Sequence, residues 1–397
     1  MPANPQILSV LTSINAQKFL EAYSFSDPKL LQKEARSRFG ADAPLILQQL
    51  ELLQKAKTKA PELAAQGWLF TRQSYEQASS AATARFKQTL MGGKQLVDLT
   101  AGAGIDGWYL SKLFEKTLLV EANEERAALL GHNFRQVAQV EVVHATAEEQ
   151  IDRLEENVTV YIDPDRRPGG QRVNGLEQSM PDILALLPQL RAKKSDVWIK
   201  ASPMLDISLL RNQLGSNTNI WCISVDQEMK ELLLHPDGNG LLEAVRLHEN
   251  GQILHRYSED VEANTQANLV ADAQIGDWFV EPHVALIKSR LARKYAAQQG
   301  WKAFNQVADY YFSAEAGSDA EGRWFRIEKL WPYKPKLLPV WLKETGITKA
   351  NIAKRDFFLD VAALRKVLRL ADGGDDYLFF TKNKNGDPLV VHGRRSI

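Results

Sequence analysis

Apolar residues recur at helical spacing over the first 75 residues of the chain. Between Pro44 and Leu53 they lie three or four positions apart, as on one face of a helix, and Pro44 suits a first helical turn. Pro61 is placed to open another helix. We therefore predict a helical region over residues 1–75.

From residue 95 the pattern changes to short apolar runs separated by helical segments. Strands buried on both faces give such runs, and their alternation with helices of about 10 to 15 residues indicates a mostly parallel sheet. An Asn250-Gly251 pair then predicts a closing hairpin with strands at 244–247 and 252–255. An α/β domain is therefore predicted over residues 76–260. Its predicted strands lie at 96–99, 118–120, 140–143, 158–162, 197–199 and 220–225.

The remaining residues are expected to form two smaller α+β pieces. Residues 261–322 have more helical spacing, above all over 282–299, and residues 323–397 are basic. Residues 321–397 hold 16 Lys and Arg against 9 Asp and Glu, which gives +7. Because the whole chain has 49 of each, residues 1–320 hold 33 against 40, which gives −7. The zero net charge thus conceals a basic C-terminal segment.

Composition narrows the class of protein. A chain of 397 residues with 44% hydrophobic and 25% charged residues is typical of a multidomain globular protein and excludes collagen, coiled-coil rods and disordered tails. The single cysteine, Cys222, cannot form an intramolecular disulfide, and no Cys and His residues have the spacing of a zinc site. No segment resembles a signal peptide or a membrane span. We expect a cytoplasmic protein with no metal and no membrane partner.

The strongest local signal is the segment 97–107, VDLTAGAGIDG, which contains Gly-x-Gly-x-x-Gly between a predicted strand and a predicted helix. Dinucleotide-binding folds place this motif at the same point, because glycines allow a tight turn and a close approach of the ligand. The motif alone does not identify the ligand. Close packing of the helix on the strand is the alternative explanation of the glycines.

Of two acidic residues near this motif, Asp98 favours S-adenosylmethionine as the ligand and Glu121 is compatible with it. Asp98 lies inside the first strand, where a carboxylate suits the ammonium group at the methionine end of that molecule. A pyrophosphate would be repelled by about 4 kcal/mol at about 4 Å and an effective dielectric of about 20. Glu121, at the end of the second strand, would hold ribose hydroxyls in either cofactor. Asp98, Gly102, Gly104 and Glu121 are the predicted cofactor-binding residues, and a nicotinamide-dependent oxidoreductase is the less favoured alternative.

The loop after the fourth strand is the predicted catalytic loop. In open α/β sheets, ligands bind outside the carboxyl ends of the strands, and the sequence there reads Asp163-Pro164-Asp165-Arg166-Arg167. Asp163 is the candidate for orienting a nucleophilic nitrogen, with proton removal as a second role. Pro164 would fix the backbone so that a carbonyl faces the pocket. These residues and Arg166 form the predicted catalytic set.

Several further side chains are candidates for binding the ligand or the substrate. Arg166 and Arg167 would grip a phosphate or stack on a base, unless they only form salt bridges with Asp165. Lys200, at the end of the fifth strand, is expected on the same face of the sheet, although an exposed surface lysine is an open alternative.

Two segments are expected to complete the cofactor site. Ser79 is a candidate for binding the carboxylate of the ligand, with helix capping as the alternative. The backbone from Ala145 onward, after the third strand, would meet the adenine. His144 beside it is interpreted as a packing or capping residue.

Taken together, these segments resemble bacterial class I S-adenosylmethionine-dependent methyltransferases that carry a THUMP-like C-terminal domain. The resemblance covers residues 70–397 and implies a Rossmann-like methyltransferase sheet over 76–260, a ferredoxin-like segment within 261–322 and a THUMP-like domain over 323–397. It also implies Thr100 as a cofactor-binding residue. The segments are 77–87 (QASSAATARFK), 98–106 (DLTAGAGID), 163–167 (DPDRR), 200–206 (KASPMLD), 281–288 (EPHVALIK) and 323–327 (RWFRI) to 394–395.

The resemblance implies a substrate class. The chain is distantly similar to enzymes of the trimethylguanosine synthase type, which methylate an exocyclic guanine nitrogen. Amino-methylating enzymes usually have Asp/Asn-Pro-Pro-aromatic after the fourth strand, whereas here Asp165 and Arg166 stand in the last two places. The predicted function is methyl transfer to a base nitrogen of RNA held by the basic C-terminal domain. A methyltransferase acting on a small molecule or a protein is the alternative.

Aromatic residues of the C-terminal segment have two possible roles. Trp324, Trp331, Tyr333 and Trp341 lie among its basic residues and would stack on exposed bases, or they form the core of the domain.

Overall fold

The structure is a computed structural model that describes residues 6–22, 27–166, 175–177, 179–258 and 269–395. The chain divides into two compact units. The first comprises residues 1–226, 230–241 and 247–253, and the second comprises 227–229, 242–246 and 254–397.

The first unit begins with the predicted helical region. Pro44 lies in the first turn of α4 and Pro61 opens α5, as expected. The side chains of Leu11, Phe19 and Ile46 pack in one core with Leu69 and Leu129, so these helices belong to the first unit. The helices are α1 Gln6–Thr12, α2 Ile14–Ala22, α3 Pro28–Phe39, α4 Ala43–Lys59, α5 Pro61–Ala65, α6 Arg72–Gln77 and α7 Ala81–Gln88, with a 3₁₀ turn at Gly40–Asp42.

The predicted α/β domain is present. Its strands are β1 Gln95–Asp98, β2 Lys116–Glu121, β3 Val140–His144, β4 Thr159–Ile162, β5 Asp165–Arg166, β6 Ser179–Met180, β7 Asp196–Ala201, β8 Asn219–Val225 and β9 Glu228–His235. The helices between them are α8 Ile105–Leu110, α9 Glu124–Phe134, α10 Ala147–Ile151, α11 Ile183–Ala192 and α12 Ile207–Leu214, with a 3₁₀ turn at Ser111–Leu113. All six predicted strands of the series correspond to observed ones.

Seven of these strands lie side by side in the order β3-β2-β1-β4-β7-β9-β8, while β5 and β6 form a separate antiparallel pair. The pairs from β3 to β7 are parallel. The carboxyl ends of β1, β2, β3, β4 and β7 therefore meet at one edge of the sheet, where α/β proteins bind their ligands.

Strand β9 was not predicted. It runs antiparallel to β7 and lies between β7 and β8. Its first half contains Glu228, Lys230 and Glu231, so the sequence shows neither an apolar run nor a clean alternation there. Glu231 is buried in spite of its charge.

The second unit contains another sheet. The hairpin strands β10 Leu242–Leu247 and β11 Ile253–Ser258 come first in the chain, and the strands of this other sheet are β12 Trp278–Pro282, β13 Lys302–Ala303, β14 Tyr311–Ser313, β15 Gly322–Pro332, β16 Asn351–Lys354, β17 Asp376–Lys382 and β18 Pro388–Arg395. Its helices are α13 Val284–Lys288, α14 Ala292–Gln298, α15 Leu338–Glu344 and α16 Val361–Leu368. Seven strands pair in the order β13-β14-β12-β15-β18-β17-β16. β10 and β11 are adjacent, and the His248 N–H bonds the Gln252 carbonyl at 2.8 Å, so the predicted hairpin is present.

The segment 261–322 is less helical than its sequence suggested. Helical residues within 282–299 form two short helices that separate at Arg290, where φ is +62°. β12 pairs with β15, with Val280 opposite Trp324, and the Phe279 ring stacks on Phe379 at 4.0 Å. Residues on both sides of the expected division near 323 thus share one sheet and one core.

Candidate functional site

A cavity of about 390 Å³ lies at the carboxyl ends of the first sheet. Seven of the predicted site residues line it: Ser79, Asp98, Thr100, Gly102, Gly104, Glu121 and Asp163. Gln77, Asp106, Arg126, Thr146, Ala147, Glu148, Tyr161, Asp165, Met180 and Pro181 also contribute to its wall. Its volume is in the range of small-molecule and cofactor sites.

The glycines of the turn after β1 have different physical roles. Gly102 has φ +55°, and a Cβ there would meet only the Thr100 carbonyl oxygen, at 3.8 Å. Gly104 has φ +77°, but a Cβ there would lie 2.5 Å from Leu130 Cδ1 and 2.9 Å from Phe134. Gly102 therefore leaves open space at the cavity, whereas Gly104 permits close packing of the turn on α9.

Asp98 is a buried carboxylate at the cavity wall. It is the last residue of β1, is 1% exposed, and accepts a hydrogen bond from the Thr100 backbone N–H at 3.0 Å. Burial raises its pKa to about 8, and the neighbouring Asp106 and Asp163 carboxylates add to the effect. Its negative charge is thus poorly compensated in the free protein, so the site favours a ligand that brings a cation.

Glu121, the last residue of β2, is held in place by several donors. Oε1 accepts from the Asn123 backbone N–H at 2.8 Å and from Arg126 Nε and Nη2 at 2.9 and 2.7 Å. Oε2 accepts from the Gly102 N–H at 3.0 Å. A carboxylate oxygen accepts about two hydrogen bonds, so Oε2 retains acceptor capacity toward a hydroxyl in the cavity.

Asp163 is anchored on both its backbone and its side chain. Its N–H donates to Thr100 Oγ1 at 2.6 Å, so the Thr100 hydroxyl ties the loop after β4 to the loop after β1. Its Oδ2 forms an ion pair with Lys200 Nζ. Burial alone would lower the pKa of Lys200, but the Asp163, Glu231 and Asp106 carboxylates outweigh burial and hold that pKa above its ordinary value.

A fully buried ion network underlies the cavity. Lys87 Nζ lies 2.7 Å from Asp106 Oδ1 and 2.9 Å from Glu231 Oε1, and it donates to the Ser79 and Tyr161 hydroxyls at 3.1 and 3.0 Å. Burial raises the pKa of Glu231, whereas for Asp106 the Lys87 and Lys200 charges outweigh burial and lower the pKa. The Lys87 ammonium is therefore shared by two buried carboxyl groups, and the ionised form is favoured at Asp106 and disfavoured at Glu231.

The comparisons with known proteins agree with this geometry. Residues 322–395 match the family described as THUMP domain-like. Two relatives named uncharacterised S-adenosylmethionine-dependent methyltransferases, from Mycobacterium tuberculosis strains CDC 1551 / Oshkosh and ATCC 25618 / H37Rv, are each 26% identical over 344 residues, which is 84% of this chain and 91% of theirs. A crystal structure described as a methyltransferase from Porphyromonas gingivalis W83 covers 100% of both chains, with 24% identity and a TM-score of 0.81.

The chain has the fold of a class I methyltransferase and a THUMP-like C-terminal domain, and its relatives by sequence are named as S-adenosylmethionine-dependent methyltransferases. The predicted Rossmann-like sheet, the N-terminal helices and a second C-terminal sheet are thereby confirmed as its fold. The THUMP-like match begins at β15, although the sheet that contains β15 extends back to β12.

The other predicted site residues of the methyltransferase lie in different positions. Lys200 is not part of the cavity wall among the described residues, because its amino group pairs with Asp163. Pro164 and Ala145 are likewise outside the wall, and the Ala145 N–H bonds the Glu121 carbonyl oxygen at 3.2 Å. Arg166 lies in β5, where only its backbone is described. Arg167 lies outside the described residues.

Ser79 lines the cavity, but its hydroxyl is already engaged. It donates to Asp106 Oδ2 at 2.6 Å and accepts from Lys87. A hydroxyl has a single proton, so Ser79 in this arrangement has none to give to a ligand carboxylate. Its neighbour Ser80 caps α7 by accepting the Thr83 N–H, as the alternative interpretation of this segment expected.

Sequence reasoning missed the buried network of the methyltransferase and two side chains at the cavity mouth. Lys87 lies in the segment 77–87 and Asp106 in the segment 98–106, but Glu231 follows Glu228 and Lys230 in a charged stretch that gave no signal of burial. Gln77 and Asp165 line the cavity and contact each other, with Gln77 Nε2 donating to Asp165 Oδ1 at 3.2 Å. No pattern in the sequence connects residues 88 positions apart.

No helix among the described residues has the length and the apolar character that crossing a membrane requires. Nor do any three of their His, Cys, Asp and Glu side chains converge as metal ligands would.

Proposed function

We propose that this methyltransferase binds S-adenosylmethionine in the cavity and methylates a base nitrogen of RNA. The observation that carries the proposal is the arrangement of Asp98, Glu121 and Asp163 at the carboxyl ends of adjacent parallel strands, around one cavity. When bound, S-adenosylmethionine supplies an electrophilic methyl group: a nitrogen–carbon bond forms while the carbon–sulfur bond breaks and leaves its electron pair on sulfur.

The residues of the cavity suit the chemical groups of this cofactor. Asp98 provides a buried carboxylate for the ammonium group, which would remove the cost of burying its charge. Glu121 Oε2 has acceptor capacity for the ribose hydroxyls. Gly102 leaves the turn open to a ligand, and the wall formed by Thr146, Ala147 and Glu148 suits the adenine.

Asp163 is the residue we assign to orienting the acceptor nitrogen. Its backbone is tied to Thr100 and one carboxylate oxygen is fixed by Lys200, so the other oxygen has a defined position at the cavity. Methyl transfer depends on alignment of the nucleophile with the bond that breaks, so a fixed acceptor for its N–H contributes by positioning. Lys200 is a positioning residue that acts through Asp163.

RNA as the substrate is supported by the C-terminal domain. The THUMP-like match covers residues 322–395, and residues 321–397 carry the +7 charge that phosphate binding would use. Lys334, Lys336 and Lys343 are exposed. Phe358 is 64% exposed, and its ring lies 5.7 Å from that of Tyr333, next to Lys334. An exposed ring on a basic domain is suited to stacking on an unpaired base.

The test is to find the methylated nucleoside. Total RNA from cells with and without the gene is digested and compared by mass spectrometry, and RNA from the deletion strain is then incubated with the purified protein and methyl-labelled S-adenosylmethionine. We expect one methylated nucleoside to be missing without the gene and to be restored in the labelling reaction. Label in protein or in small molecules, with none in RNA, would support the alternative substrate classes instead.

Asp163→Ala serves as the matched control. It should lose transfer while its Kd for S-adenosylhomocysteine stays within about twofold of the unmodified protein, because its assigned partner is the acceptor. Full transfer by Asp163→Ala would contradict the assignment.

A further inference from the structure

Two carboxylates face the cavity from the same short segment, Asp163 and Asp165, but their surroundings differ. Asp163 Oδ2 is occupied by the Lys200 ammonium. Among the described residues, Asp165 Oδ1 accepts a hydrogen bond from a neutral donor, the Gln77 side-chain amide, at 3.2 Å. The two residues are therefore suited to different tasks.

The backbone of Asp165 is fixed by secondary structure. It lies in β5, where it pairs with Met180 of β6, and both residues line the cavity. Gln77 is the last residue of α6 and holds the carboxylate from the opposite side. A side chain held between a strand and a helix end has the defined position that a proton acceptor requires.

Among the described residues, the charges that act on Asp165 come from its own loop, from two strand ends and from one helix. Asp163 and Lys200 lie on its own side, Arg126 approaches from α9, and Glu121 from the end of β2. Partial burial of the carboxyl group and the Asp163 charge raise the pKa of Asp165 above its ordinary value, and the cations offset this only in part. A carboxylate in this state binds a proton more readily than an ordinary one.

We infer that Asp165 receives the proton that the acceptor nitrogen loses, while Asp163 with Lys200 orients that nitrogen. This inference rests on the proposed function. As the nitrogen–carbon bond forms, the N–H bond breaks, its electron pair stays on nitrogen, and the proton passes to a carboxylate oxygen of Asp165. The neutral carboxylic acid then returns the proton to water, because Asp165 is exposed at the cavity mouth.

The departure of the sequence from the usual amino-methylating pattern fits this role. Position 165 stands where that pattern has its second proline, which has no group able to take a proton. An aspartate at this position adds a proton acceptor without moving the orienting residue, Asp163. Gln77 is then a positioning residue for Asp165.

The test measures the pH dependence of transfer with defined probes. RNA from the deletion strain and methyl-labelled S-adenosylmethionine are used with the full-length protein and with Asp165→Asn, Asp165→Glu and Asp163→Asn. Glu76→Gln is the matched control, since it removes an exposed carboxylate next to Gln77 that contacts Arg72 at 3.7 Å and does not line the cavity.

At saturating S-adenosylmethionine, where Asp98 is already paired with the ligand, we expect the rate of the unmodified protein to rise with pH as Asp165 ionises and then to level off. Asp165→Asn should lower the rate about 100-fold and remove this rise, as loss of a general base does. Asp165→Glu should keep the rise at a reduced rate. Asp163→Asn should lower the rate at every pH and keep the rise, and Glu76→Gln should match the unmodified protein.

A second readout needs neither substrate nor cofactor. With ¹³C-carboxyl-labelled aspartate, the signal that is absent from Asp165→Asn identifies Asp165 in the free protein, and it should titrate above the ordinary aspartate range. The Kd for S-adenosylhomocysteine should change less than threefold in Asp165→Asn, which shows that the variant is folded and binds.

The possible failures are distinguishable. If the unmodified protein labels RNA but Asp165→Asn keeps its rate within threefold and the same rise with pH, the proton goes elsewhere and this inference is wrong while the proposed function stands. If the unmodified protein labels no RNA, the proposed function is wrong and the role of Asp165 is overturned with it.

Discussion

At the scale of single residues, Asp98 has opposite effects on folding and on binding. Its pKa is about 8 in the folded chain, above the value of about 3.9 in an unfolded one. Its contribution to stability is therefore complete below about pH 4 and is lost as pH rises through 8, because the unfolded chain releases the proton first. The same ionised carboxylate is what a cationic ligand would pair with.

Asp98→Asn should consequently stabilise the free protein and weaken binding. We expect its Tm to exceed that of the unmodified protein by several degrees at pH 8, with the difference shrinking toward pH 5, because the amide carries no charge to bury. The Kd for S-adenosylhomocysteine should rise at least about tenfold, the loss of a buried charge pair. Scanning calorimetry and titration calorimetry measure the two effects.

General damage to the fold by Asp98→Asn would lower both Tm and affinity, so opposite signs are diagnostic. A variant with lower Tm at pH 8 would show that Asp98 is a structural residue.

Substitutions of the two glycines of the turn should differ in their effects on stability and on cofactor binding. Gly104→Ala places a Cβ against Leu130 and Phe134 in a left-handed conformation, and we expect a loss of about 2–4 kcal/mol in urea unfolding. Gly102→Ala has only the conformational cost of about 1–2 kcal/mol, yet its methyl group enters the cavity and should weaken S-adenosylhomocysteine binding. Equal stability losses for both variants would contradict this division of roles.

At the scale of elements, the sequence was informative wherever a local sequence pattern alone determines the secondary structure. The parallel strands have uniform apolar runs, and the turns and helix starts carry Asn-Gly or proline, so β1 to β4, β7, β8 and α4 could be predicted. β9 could not, because its burial depends on a partner: Glu231 lies in the core only because Lys87 from α7 meets it there. A local sequence pattern does not indicate that two distant elements form an ion pair.

The ion pair of Lys87 in α7 with Glu231 in β9 should stabilise the fold. Lys87→Met leaves the Asp106 and Glu231 carboxylates buried without their cation, and we expect about 3–5 kcal/mol of destabilisation in urea unfolding. Adding Glu231→Gln should recover part of this loss by removing one of the two acidic groups. Lys116→Met, at an exposed position in β2, is the control and should stay within about 0.5 kcal/mol.

If Lys87→Met were as stable as the Lys116→Met control, the network would not hold these elements together. If the double variant were less stable than Lys87→Met alone, Glu231 would contribute through contacts other than the ion pair.

At the scale of the whole molecule, the partition of charge was visible in the sequence but the role of the aromatic residues was not. Trp324 is buried, and Trp331, Tyr333 and Trp341 pack against a core of the second unit, so the core interpretation holds for all four. Phe358, which the sequence did not single out, is the exposed ring. Which aromatics face solvent depends on the strand register, and that is set by pairing across the sheet.

The same pairing decides how RNA binding should be tested. Deleting residues 321–397 would remove β15, the partner of β12, together with Phe325 and Phe379, which pack on Phe279. The truncated protein would lose part of a sheet and its core as well as its basic surface. Substitution of exposed lysines removes charge and leaves this core intact.

Lys334→Gln, Lys336→Gln and Lys343→Gln combined should therefore weaken RNA binding through charge alone. Each phosphate contact contributes about 0.7–0.9 to the slope of log K against log salt, so the slope should fall by up to about 2–3 when all three contacts are lost.

The control combines Lys18→Gln, Lys29→Gln and Lys33→Gln, three exposed lysines of α2 and α3 with the same total charge change. Filter binding of labelled RNA over about a sixfold range of salt concentration, which shortens the Debye length about 2.4-fold, measures both slopes. Because the two variants have equal net charge, a slope that falls in both would indicate a general charge effect, whereas a fall confined to the C-terminal lysines would assign RNA binding to the THUMP-like domain.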